Sequence, residues 1–123
     1  MQDIFIDASK EDISIKVNSQ SLHAVGFDVT VFNSDGNTVS EPKIVDDTET
    51  NNPNVKLLQN KPSTYKGKYV SGIFTIESPD GTDYDYTVSF SIIEDNVDVH
   101  PEIVLKGKTV NGKDTKTATF HLN

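Results

Sequence analysis

The most constraining feature of this chain is a period-two alternation of apolar and polar side chains, which recurs along nearly its whole length. Val25, Phe27, Val29 and Val31 alternate with Gly26, Asp28 and Thr30. Later, Val70, Gly72, Phe74 and Ile76 share one phase, and so do Tyr84, Tyr86, Val88, Phe90 and Ile92, with Asp85, Thr87, Ser89 and Ser91 on the opposite phase. Successive side chains of a strand point to opposite faces, so this pattern describes half-buried β-strands and is incompatible with helices. Composition agrees. Val, Ile and Thr number 13, 10 and 12, whereas Ala, Leu and Met together reach 9. Branched side chains suit a pleated surface, and the unbranched helix formers are scarce. No apolar run approaches the ~20 residues that a membrane-spanning helix requires.

Turn signals divide the chain into short strands. Ile4, Ile6 and Ala8 share a phase, then Ile13, Ile15 and Val17. The strand through Val31 ends at Asn33-Ser34-Asp35-Gly36-Asn37, with a short return through Thr38 and Val39. Lys43-Ile44-Val45 and Val55-Lys56-Leu57 are brief strands around a polar stretch, residues 46–54, expected to be the longest exposed loop. Residues 59–64 form a second loop. The clearest hairpin is expected to join residues 70–76 to 84–92 through Ser78–Asp83, and a last one to pair Ile103 and Leu105 with Phe120 and Leu122 through Asn111-Gly112. Eight or nine short strands with regular turns predict one all-β domain over residues 1–123. The expected architecture is a two-sheet antiparallel sandwich of about eight strands, immunoglobulin-like or jelly-roll-like, with a small β-barrel as the alternative. The Cys…Trp…Cys framework of immunoglobulin domains is absent.

Charge and missing residue types narrow the function. The net charge is −8, and all eleven basic residues are Lys. An acidic chain repels nucleic-acid backbones and anionic lipid, and without Arg it lacks the bidentate fork that reads phosphates and base edges. Nucleic acid and membrane insertion are therefore not expected. There is no Cys, hence no disulfide, thiol nucleophile or thiolate metal site. Residues 1–6 have neither a basic region nor an apolar run, so no signal peptide is expected. The expected location is cytoplasmic or inside an assembled particle, and extracellular if the chain is an excised fragment.

Few constellations suggest chemistry. Acidic residues cluster at predicted turns, with Asp80, Asp83 and Asp85 the best calcium candidates because Gly81 lets carbonyls approach; the competing explanation is the preference of Asp for turns. His23, His100 and His121 are far apart in sequence and read as partly exposed structural residues. Glu77 and Asp85 face each other if the predicted hairpin forms, yet no nucleophile elbow or phosphate loop is present. The expectation is no catalytic activity, no cofactor and no favoured metal.

Contact is the remaining reading. Tyr69, Tyr84 and Tyr86 could form a binding patch, or Tyr84 and Tyr86 could continue the inward row. Lys106, Lys108, Lys113 and Lys116 give the C-terminal segment a basic character that could dock on a protein partner or on a second copy; lysines also guard strand edges. The sequence thus points to a non-enzymatic structural or interaction protein, an accessory (decoration, tail or head) component of a phage or bacterial assembly. The alternative is a carbohydrate-binding or adhesion module from a larger secreted bacterial protein. A small intracellular inhibitor that mimics nucleic acid is a third.

Overall fold

The structure, a computed structural model, describes all residues 1–123. Nine strands build it: β1 (Gln2–Ile4), β2 (Ile13–Ser19), β3 (Ala24–Phe32), β4 (Ile44–Thr48), β5 (Asn54–Leu57), β6 (Tyr69–Glu77), β7 (Asp85–Glu94), β8 (Ile103–Lys108) and β9 (Lys113–Leu122), with one 3-10 turn at Pro62–Tyr65. They form two sheets, ordered β1-β9-β6-β3-β4 and β5-β2-β7-β8. All pairings are antiparallel except β1 with β9. The architecture is the expected all-β sandwich, and the separation into two sheets excludes the barrel.

The alternation locates the strands but not their partners. β6 and β7, expected to form a hairpin, lie in different sheets, and residues 78–84 cross between them. β8 and β9 part in the same way: Ile103 and Leu105 pair with β7, whereas Phe120 pairs with Val70 of β6 and Gln2 of β1. The Asn111-Gly112 turn does form, with φ of 54° and 78°, but it closes only the Val110–Lys113 bridge before the strands diverge. Asn-Gly specifies a tight turn, and the two flanking apolar rows then choose different sheets. Residues 46–54 are likewise not one loop. β4 runs to Thr48 and β5 starts at Asn54, so only five residues connect them. Val39 makes a single bridge to Phe32 in place of a return strand.

The inward rows meet in one core cluster. At its centre Phe90 of the four-stranded sheet packs between Phe74 and Phe120 of the other, with ring centroids 5.1 and 5.2 Å apart. Gly72 makes room for this row, because a Cβ there would lie 2.5 Å from the Phe74 ring.

Both lateral openings of the sandwich are closed by polar groups on inward positions. Asp46 lies opposite Phe27, and Lys56 opposite Ile15, so both point between the sheets, where they form a 2.6 Å ion pair. That pair and its neighbours hold the Asp46 carboxyl at about 2. On the other side Asp114 lies opposite Ile76 and accepts the Tyr86 hydroxyl. Gly107 permits this reach, since a Cβ there would sit 2.6 Å from the Tyr86 oxygen. Inward-pointing charges of this kind discourage strand addition at sheet edges.

Candidate functional site

The tyrosines do not form one platform. β6 and β7 start at opposite ends of the sandwich, which separates Tyr69 from Tyr84 and Tyr86. Tyr69 stacks on His121 at 4.4 Å on the outer face of the five-stranded sheet. Tyr86 is buried, its row continuing into Val88 and Phe90. Tyr84 lies at the rim, donating to Asp80 Oδ2 at 3.1 Å. Tyr65 is also buried and donates to the Glu41 carboxylate at 2.8 Å; burial first, then Glu41, pushes its hydroxyl up to about 12.

The lysines are equally dispersed. Lys106 and Lys108 are exposed on the outer face of the four-stranded sheet, opposite Thr87 and Asp85. Lys113 lies on the other sheet, 3.7 Å from Glu77. Lys116 is half-buried on an inward position of β9 opposite Phe74, on a different face from Lys106 and Lys108.

Two of the three calcium candidates are engaged in turns. Asp80 accepts the Thr82 N–H at 2.9 Å and the Ser78 hydroxyl at 3.1 Å, and the Thr82 bond chiefly holds its carboxyl below the ordinary range. Asp83 accepts the Gly112 N–H at 2.8 Å, tying two turns together. Asp85 lies on a different sheet from Glu77, which also dissolves that pair. No three His or carboxylate side chains converge as metal ligands.

His23 is completely buried, contrary to the expected partial exposure. Its ring meets the edges of Tyr86 and Tyr84 at 5.8 and 6.4 Å, Nδ1 lies 3.1 Å from Ser21 Oγ, and Nε2 has no partner. Burial lowers its pKa below the ordinary 6.5. The unfolded chain then binds a proton at His23 before the folded chain does, so stability falls as pH drops below about 6.5. Melting between pH 7.5 and 5 should show this decline, and His23→Gln should flatten it. An unchanged slope in the variant would contradict the buried neutral ring.

His100 and Glu94 form a site that sequence reading missed. Glu94, 1% exposed at its side chain, accepts the Asp7 N–H at 3.0 and 3.1 Å and lies 2.6 Å from His100 Nε2. It thereby ties the segment after β1, the end of β7 and the loop before β8 into one clamp. Its residues are about ninety positions apart in one contact and six in the other, so no local motif reveals it. His121, for its part, pairs with Asp3 at 2.9 Å.

The outer face of the five-stranded sheet carries exposed apolar residues. On it, Asp28 of β3 lies between Val45 of β4 and Ile73 of β6; one step along, Gly26 lies between Asp47 and Thr75. Ile73 is 50% exposed on an inner strand of the sheet, and Val45 is 64% exposed. Together with Gly26 they bound a hollow of about 470 Å³. The sequence signal was present in Ile73 itself, an apolar residue on the outward phase between Gly72 and Phe74.

Comparison with protein-family models, curated proteins and solved structures returns no match for this chain.

Proposed function

We propose that this chain is a non-catalytic interaction protein that acts by protein–protein contact, as an accessory component of a larger phage or bacterial assembly. The observation carrying this reading is the uncovered outer face of the five-stranded sheet, where Ile73 and Val45 stand exposed beside the bare floor at Gly26. An apolar pair amid polar neighbours, on a rigid sheet, is the kind of surface a partner covers. The chemistry-bearing residues are otherwise engaged in structure: Asp80 and Asp83 in turns, Tyr86 and Asp114 in closing the sandwich. A row of exposed tyrosines would favour the carbohydrate-binding alternative, and the dispersal of Tyr69, Tyr84 and Tyr86 weakens it.

Affinity capture from lysate of the producing cell or particle tests this. The parent chain should retain a stoichiometric protein partner, Ile73→Lys should lose it, and Val104→Lys on the opposite face should keep it. Retention by all three would move the contact elsewhere.

A further inference from the structure

We propose that the groove along β3 on this outer face binds an extended, lysine- or arginine-bearing segment of a partner protein. The inference rests on the contact reading above and gives the occupant its chemistry. Shape is the first support. Three hollows adjoin, sharing Gly26 and then Ala24, and run from Asp28 and Ile73 to Leu22 and Pro79. β4 and β6 supply the walls, and the floor is low because β3 presents only Ala24 and Gly26 there. From residue 24 to residue 28 a strand advances about 13 Å, room for roughly four residues of extended chain.

Gly26 is the second support. It pairs with a neighbour on both sides and does not adopt positive φ, and a Cβ built on it meets nothing within 4 Å. The isolated fold therefore has no need of glycine at this position. Glycine is a poor residue inside a strand, and one without a local reason marks close approach by another backbone or ligand.

Charge selects the occupant. Asp28, Asp47, Glu49 and Glu77 stand along the groove. Asp28 and Glu77 have lysines at 3.6 and 3.7 Å, on exposed side chains, and Asp47 and Glu49 have no ion pair. Such surface pairs are weak and readily exchanged. A basic side chain can lay its aliphatic stem on Val45 and Ile73 while its head group reaches the carboxylates. An anionic occupant would be repelled. A sugar would lack an aromatic platform, because the one aromatic residue touching these hollows, Phe27, is buried in the core.

The test is calorimetric titration with a roughly eight-residue peptide of alternating lysine and threonine, at about 0.15 M salt, with a glutamate–threonine peptide as control. Light scattering and a glycan array are run in parallel. Saturable binding of the lysine peptide alone is expected, weakened about tenfold or more by Gly26→Val and by Asp47→Asn with Glu49→Gln. Gly26→Val alters no charge, so it separates the groove from general attraction between a polycation and a −8 chain. It should also melt at or above the parent temperature, since the new side chain has space and suits a strand. No binding, or equal affinity for parent and Gly26→Val, overturns the proposal. So does self-association or glycan binding that Gly26→Val abolishes, since the occupant is then a second copy or a sugar. If the peptide fails while capture still depends on Ile73, the contact reading survives and this inference does not.

Discussion

Phe90→Ala is expected to cost about 4 kcal/mol, the middle of the range for truncating a buried aromatic. Phe90 has no solvent exposure and bridges Phe74 and Phe120 of the facing sheet, so its removal opens a hole that neither backbone can follow inward. A domain of this size should lose about 10 °C or more in melting temperature by calorimetry. That is a large part of the 5–15 kcal/mol typical of a whole domain, so the variant should also be sensitive to mild denaturant. A loss below about 1 kcal/mol would mean that the two sheets do not meet through this ring.

Glu94→Ala is expected to cost about 3 kcal/mol, although it removes only one polar side chain. Truncation leaves the Asp7 N–H and the His100 ring without the acceptor they share, and an unsatisfied buried group carries its full desolvation penalty. Glu94→Gln, which keeps the shape and one acceptor oxygen, should recover part of the loss. A double-mutant cycle with His100→Ala should show coupling, because the two side chains touch. Strict additivity of the two losses in chemical denaturation would contradict the clamp.

The contrast between these two residues shows what the sequence made visible. Phe90 was legible because period-two alternation reports which side of a strand faces the core, and that information is local. The same holds for Tyr86, whose place in the row with Val88 and Phe90 outweighed any role on the surface. Glu94 was not legible. Its partners Asp7 and His100 come from other connections, and its carboxylate resembles any acidic turn residue until the fold brings an N–H and an imidazole against it. Partner choice between strands was hidden for a related reason. A short polar connection with Asp and Gly serves equally for a hairpin and for a crossing between sheets, and residues 78–84 and 109–112 proved to be crossings.

The candidate contact site was half legible. Gly26 and Asp28 fall on the outward phase of the alternation, and Ile73, an apolar residue between Gly72 and Phe74, carries an outward signal that the sequence reading did not use. Their convergence into one hollow depends on the order β4, β3, β6, which alternation does not encode. Lys116 is half-buried because its phase on β9 points inward, and it keeps access to solvent because β1 pairs only with Phe120–Leu122, leaving the earlier part of β9 beside the opening between sheets. There an inward charge blocks edge-to-edge pairing, and its position opposite Phe74 makes it part of that seal.

A protein partner is proposed to cover the outer face of the five-stranded sheet. The most direct test is a photo-crosslinking amino acid placed at Ile73 and, separately, at Val104, with illumination in the cell or particle that contains the chain. A discrete protein adduct at Ile73 and none at Val104 is the predicted result. Adducts only at Val104, or none at either position while the chain is folded and present, would contradict the account.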